Sequence, residues 1–233
     1  MSDLSFLALS PLEWEALRLS LQVAFWSVLG CIPLSIAAAW LLSRTNFPGR
    51  SLLDGILHLP LVVPPVVIGY LLLVAMGRNG VIGGFLYRTF GLSFAFDWKG
   101  AALASMIMAF PLALRAVRLS LEAVDPGLEA AARTLGCGPI RTFFTVTLPL
   151  CLPGVGAGAV LAFARSLGEF GATITFVSNI PGRTQTLPLA LYTLTQTPDG
   201  EAGALRLCLL SILVALPAVW AAEVLARRAK ARR

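Results

Sequence analysis

Residues 164–179, ARSLGEFGATITFVSN, gather the side chains best suited to handling a polar solute. Arg165 and Glu169 are four residues apart, the spacing at which a helix brings opposite charges together and lowers the cost of holding them near a membrane. Thr173, Thr175, Ser178 and Asn179 follow, and their hydroxyls and amide can donate hydrogen bonds to an oxyanion without trapping it. Two readings stand: an internal salt bridge that locks a helix to its neighbours, or a polar lining for a solute's route.

Other reactive chemistry has little to stand on. His58 is the one histidine, with Asp54 a turn away, and reads as structural. Cys31, Cys137, Cys151 and Cys208 are scattered without a C-x-x-C pair and read as small core residues, so no metal site is expected. The sequence contains no G-x-x-x-x-G-K-[ST], H-E-x-x-H or G-x-S-x-G, so the chain is not expected to be an enzyme or to hydrolyse ATP, and no cofactor of its own is expected.

A second unusual stretch is DPGLEAAARTLGCGPIRTFFTVTLP, residues 125–149, polar between long apolar segments. Asp125 is placed to cap a helix with Pro126 at its first position. Gly136, Gly138 and Pro139 should break that helix, and IRTFFTVTL should start a second one. Leu128, Ala132, Leu135, Ile140, Phe143 and Phe144 are more apolar surface than a solvated loop needs, and part of it should meet another protein.

These two stretches are set in a strongly hydrophobic chain. Of its 233 residues, 57% are hydrophobic and 13% charged, about half the charge of a water-soluble domain, which indicates an all-α, polytopic membrane protein forming a single domain over 1–233. The net charge of +6 is concentrated in the tail (Arg227, Arg228, Lys230, Arg232, Arg233) and at span ends, which suits a lipid-facing boundary and not nucleic acid.

About five spans are expected. Residues 1–15 lack a basic signal-peptide start and read as uncleaved and translocated. The S-x-x-E of Ser10 and Glu13 with Pro11 starts the first span, apolar from about Leu19 to Leu42, and the turn RTNFPGR should be cytoplasmic. The second, Leu52 to Met76, should be kinked by Pro60, Pro64 and Pro65, with freed carbonyls facing protein or a water-filled path. Gly77 to Lys99 reads as an external loop with interfacial aromatics. A third span runs from Gly100 to Leu121, and a fourth from Leu150 with a close-packing face at Gly154 and Gly158. Residues 171–200 should be external or re-entrant, before a last span from Ala202 to Leu225. Arg44, Arg50, Arg115, Arg118, Arg133, Arg141 and the tail then share the cytoplasmic side, leaving the N-terminus outside.

The 125–149 segment resembles the cytoplasmic EAA loop of ABC importer permeases, whose pattern is roughly E-A-A, three residues, G, nine residues, I, one residue, L-P. Ala131, Ala132, Gly136, Val146, Leu148 and Pro149 occupy matching places. The acid is displaced by one residue, Glu129 in place of Ala130, a rotation of about 100° on a helix. The resemblance implies that these residues form a coupling helix fitting a groove on an ATPase subunit.

ILHLPLVVPPVVIGYLLL and AFARSLGEFGATITFVSNIPGRTQTLPLALYTLTQTPDGE extend the likeness. They resemble the molybdate branch of the binding-protein-dependent importer permeases, with sulfate permeases similar but differing in the last block. This implies a homodimer in the cytoplasmic (inner) membrane, two cytoplasmic ABC ATPase subunits that use ATP, and a periplasmic molybdate-binding protein. Sulfate or tungstate is the alternative substrate. A channel or scaffold without an ATPase is a different class, and would have no reason to carry the 125–149 segment.

Overall fold

The computed structural model describes residues 9–231, which fold into helices joined by short loops, with no strand among them. Residues 1–8, read above as an uncleaved start, and the side chains of the basic tail lie outside the described residues. Helix α1 (Pro11–Arg44) begins where the capping box predicted it: Glu13 N–H donates to Ser10 Oγ at 3.3 Å and Ser10 N–H to Glu13 Oε2 at 2.7 Å. Two backbone donors that the helix leaves open are thereby satisfied.

The second apolar segment turns far more sharply than a kinked span would. Helix α2 (Arg50–His58) and the 3-10 turn Leu59–Leu61 end before Pro64, and α3 (Pro65–Met76) leaves at 108° to them. Pro60, Pro64 and Pro65 remove three donors within six residues, so the helical ladder stops and restarts, with Pro65 at the first position of α3. The stretch after it also differs from expectation. Gly77 to Lys99 is not simply a loop, since it carries α4 (Val81–Phe90), ended by Gly91 in the left-handed conformation (φ 66°). Gly83 lets α4 lie directly on the Met76 and Gly77 carbonyls, where a Cβ would collide.

Helix α5 (Trp98–Glu122) is the central rod, capped by Asp97 through Lys99 N–H at 3.1 Å. Beyond it come α6 (Pro126–Thr134), the single turn α7 (Pro139–Thr142), a π-helical turn (Phe143–Thr147) and α8 (Leu148–Leu167). The short helices α9 (Gly171–Val177) and α10 (Leu187–Thr195) precede α11 (Glu201–Ala231). Thus 171–200, expected to be external or re-entrant, holds two helices.

The bundle is built on α1, α5 and α8, which pack against one another along their lengths. Their shared face is made of small side chains: Cys31, Ala109, Ala113 and Ala162 are fully buried. The expected close contact at α8 is present. A Cβ on Gly154 would collide with Ser120 of α5, and one on Gly158 would stand 3.2 Å from the Ala113 carbonyl oxygen. In a membrane, lipid is as apolar as leucine, so close van der Waals approach of this kind does more to hold helices together than burial from water.

Long apolar side chains point outward instead: Phe25, Trp26, Leu29 and Leu34 on α1 are about half exposed, as are Leu209 and Ile212 on α11. Among the described residues, four helical stretches are long and apolar enough to cross a membrane (Pro11–Arg44, Trp98–Glu122, Pro139–Leu167, Glu201–Ala221), and the α2–α3 pair, bent by 108°, is either a fifth, broken span or a re-entrant loop. Two cysteines depart from the expected core role. Cys31 and Cys151 are buried, whereas Cys208 lies on the exposed face of α11 and Cys137 is half-buried in the loop after α6.

Candidate coupling surface and translocation site

The 125–149 segment folds as its residues dictate. Asp125 Oδ1 accepts from Gly127 N–H at 2.8 Å, capping α6. The helix closes at Gly136, whose φ of 87° suits glycine alone, with Cys137 N–H reaching back to the Ala132 carbonyl at 3.1 Å. Gly138 and Pro139 start the second helix, and a π turn joins it to α8 at Leu148–Pro149.

The segment exposes large apolar side chains: Leu135 is 84% exposed and Ile140 75%, and Leu128 and Phe144 are about half exposed. Ala131, Gly136 and Pro149 are exposed as well, while Ala132, Val146 and Leu148 are half-buried.

Glu129 does something the spacing did not announce. Its Oε1 accepts from Arg44 Nη2 and from Thr147 Oγ1, both at 2.8 Å. The acid therefore faces the chain and ties α6 to the end of α1 and to the π turn. Ala130, at the place where the EAA pattern has its acid, is the exposed residue. The one-residue displacement explains this, because a rotation of about 100° carries a side chain from an outer to an inner face. Glu129, expected among the coupling residues, thus has its carboxylate turned toward the chain, where it positions α6.

At the other end of α8, Arg165 Nη2 lies 2.7 Å from Glu169 Oε2. The pair does not lie within one helix, because α8 ends at Leu167 and Glu169 stands beyond it. The Glu169 side chain is 1% exposed, and its Oε1 accepts from Ala172 N–H at 2.9 Å, capping α9. The carboxylate therefore clamps the junction between a span and a short helix, a structural duty consistent with its burial.

The four polar residues after it are largely engaged internally. Thr173 is fully buried and donates to the Phe170 carbonyl at 2.8 Å, and Thr175 donates to that of Gly171 at 2.9 Å. Asn179 Nδ2 donates to Thr193 Oγ1 of α10 at 2.8 Å, while its Oδ1 is buried without a hydrogen-bond partner. Ser178 adopts a φ of 65°, and its carbonyl accepts from Thr184 Oγ1 at 3.0 Å. Arg165, Glu169 and Thr173 are therefore brought together, while Ser178 and Asn179 belong to the turn facing α10.

The proline break meets this region from the other side. A Cβ on Gly171 would stand 2.8 Å from the Pro65 side chain, and one on Gly69 would stand 2.5 Å from the Ala172 carbonyl oxygen. The half-helices α3 and α9 are thus seated on each other through glycine, with Glu169 and Arg165 beneath them.

Two ion networks were not legible in the sequence. Glu13 Oε1 accepts from Arg206 Nε and Nη2 at 2.9 and 2.7 Å, joining the starts of the first and last spans. Arg118 bridges Asp54 at 2.9 Å and Glu122 at 2.8 Å, and His58 Nδ1 lies 2.9 Å from the Asp54 carbonyl oxygen. His58 thus has the structural setting expected of it.

A family model described as the binding-protein-dependent transport system inner membrane component matches residues 31–231. The chain belongs to that family. This permease is 62% identical over 220 residues to the molybdenum transport system permease protein ModB of Escherichia coli K12, spanning 94% of this chain and 96% of the relative. It is 62% identical over 217 residues to ModB of Haemophilus influenzae, spanning 93% and 95%. The fold matches that of a bacterial alginate ABC transporter in complex with its alginate-bound periplasmic protein, with a TM-score of 0.72 at 18% identity over 98% of this chain and 83% of that one. The permease is accordingly a multi-pass inner-membrane protein and a component of a transport system.

Proposed function

We propose that this permease is the membrane subunit of an ATP-driven importer for molybdate, in which two copies form the path and each docks one ATPase subunit. The observation that carries this reading is the 62% identity, sustained over 94% of the chain, to a permease named for molybdenum transport. The exposed apolar surface of α6 and α7, stiffened from behind by Glu129, supports docking of a motor subunit on the cytoplasmic side. ATP-driven closure of the motor pair would then move α6 as a lever and swing the spans between inward- and outward-facing states. A periplasmic binding protein would deliver the anion at the opposite end, near residues 171–200, with the N-terminus outside.

The test is uptake of labelled molybdate by vesicles holding the permease, its ATPase subunits and the binding protein. ATP-dependent uptake is expected, with tungstate and sulfate compared as competitors. Uptake without ATP or without the ATPase subunits would overturn the reading in favour of a channel, and stronger competition by sulfate would reassign the substrate.

A further inference from the structure

A sizeable cleft lies away from both the 125–149 segment and the Arg165–Glu169 clamp. It is about 680 Å³ and runs between the end of α3, the start of α4 and the loop before α5. This is within the range of roughly 300–1,000 Å³ common for small-molecule sites. Arg78, Asn79, Ser93, Asp97 and Arg183 supply its polar lining.

Its electrostatics point to an anion. The Arg78 guanidinium is held 4.6 Å above the centre of the Tyr87 ring, and no acidic side chain among the described residues lies within ion-pair distance of it. Arg183 approaches Asp97 only at 3.8 Å, with 64% of its side chain exposed. Asp97 Oδ1 is meanwhile engaged in capping α5 through Lys99 N–H. Two guanidiniums against one carboxylate leave the lining net positive. A cleft lined by one sign of charge with low-dielectric walls raises the local concentration of the opposite one.

The two arginines come from different parts of the chain, one directly after α3 and the other from the loop between α9 and α10. Leu73 and Val74 of α3 form the cleft's apolar wall, and α3 is the half-helix that rests on α9 above the Arg165–Glu169 clamp. The cleft is therefore mechanically continuous with the broken-helix pair.

We propose that this cleft is a low-affinity binding site for a small tetrahedral oxyanion, held by Arg78 and Arg183. Guanidinium groups suit such a ligand because their planar forks pair with two oxygens at once. Arg183 is the mobile jaw, exchanging its long contact with Asp97 for the anion. Arg78, pinned on Tyr87, is the fixed jaw. The proposal rests on the importer reading for its place in transport, where the cleft gathers anion on the external face.

The test is equilibrium dialysis of ⁹⁹Mo-molybdate against the assembled permease–ATPase complex without its binding protein. Parent is compared with the Arg78→Gln/Arg183→Gln double variant, and ATP-dependent uptake is measured on the same preparations. Both side chains are exposed, so the variant is expected to fold as the parent does. Binding at least tenfold weaker in the double variant, with part of the loss in each single one, is expected. Equal binding by parent and variant would overturn the proposal, and if the parent's uptake remained ATP-dependent the importer reading would stand. Equal dialysis with loss of ATPase stimulation by the binding protein would reassign the arginines to protein docking. No ATP-dependent uptake by the parent would sink the importer reading, whatever the dialysis gave.

Discussion

Arg44, the last residue of the first span, holds Glu129 in the middle of α6 at 2.8 Å, with both side chains mostly shielded. The contact joins residues 85 apart in the chain and anchors a surface helix in which no residue is fully buried. Without an apolar face to seat it, α6 depends on this carboxylate for its direction.

Removing either partner should therefore loosen α6 while leaving the spans intact. Arg44→Ala and Glu129→Ala are each expected to reduce retention of the ATPase subunits several-fold. A double-mutant cycle on that retention should give a coupling energy on the order of 1 kcal/mol, the scale of a partly exposed charged hydrogen bond. Strictly additive effects would show that the two residues act separately.

Gly136 gives a second prediction, from backbone geometry. Its φ of 87° disfavours any side chain, so Gly136→Val should cost about 1–3 kcal/mol locally and displace α7 relative to α6. Transport should fall more than tenfold with membrane insertion unchanged, and a bulky residue at Ala132 should act similarly. Normal transport by either variant would show that the bend between α6 and α7 is not what couples.

The glycine face of α8 predicts an order of severity. Gly154→Ala collides with the Ser120 side chain, whereas Gly158→Ala brings a methyl to 3.2 Å from one carbonyl oxygen. The first should destabilise by about 1–3 kcal/mol, as overpacking does, and the second by less. Thermal unfolding in detergent would rank them, and the reverse ranking would contradict the α5–α8 packing described above.

At the clamp, Glu169→Ala removes both the cap of α9 and the partner of Arg165. Breaking a buried pair on one side costs about 3–5 kcal/mol, so this variant should be poorly folded. Arg165→Ala/Glu169→Ala together should recover part of that loss, because no charge is left unpaired. If Arg165 instead served only the substrate, the double variant would unfold as readily as the single one, and thermal unfolding separates the two outcomes.

Local chemistry was the part of this molecule that its sequence disclosed. Ser10 with Glu13, Asp125 with Pro126, and Gly136 with Pro139 set helix ends through their own side chains and backbones, and each does so in the structure. The long apolar runs likewise became helices, four of them long and apolar enough to cross a membrane. What escaped was anything requiring two distant segments to meet. The displaced acid Glu129 could be seen in the sequence, but not its partners Arg44 and Thr147, which lie 85 and 18 residues away. The depth of the proline break escaped for the same reason: a proline triplet shows that a helix is interrupted, while the 108° turn depends on α3 finding α9 through Gly69 and Gly171. α4 was missed because glycine and aromatic content resembles a loop until Gly83 is seen pressed on the Met76 and Gly77 carbonyls.

The π turn at Phe143–Thr147 acts as an indexing notch between the α6–α7 pair and α8. A π turn accommodates one residue more than the α-helical ladder would, so shortening it by one would tighten the screw and twist everything before it by about 100° relative to α8. The outward patch of Leu135 and Ile140 would then aim sideways, although not one of its own atoms had been altered.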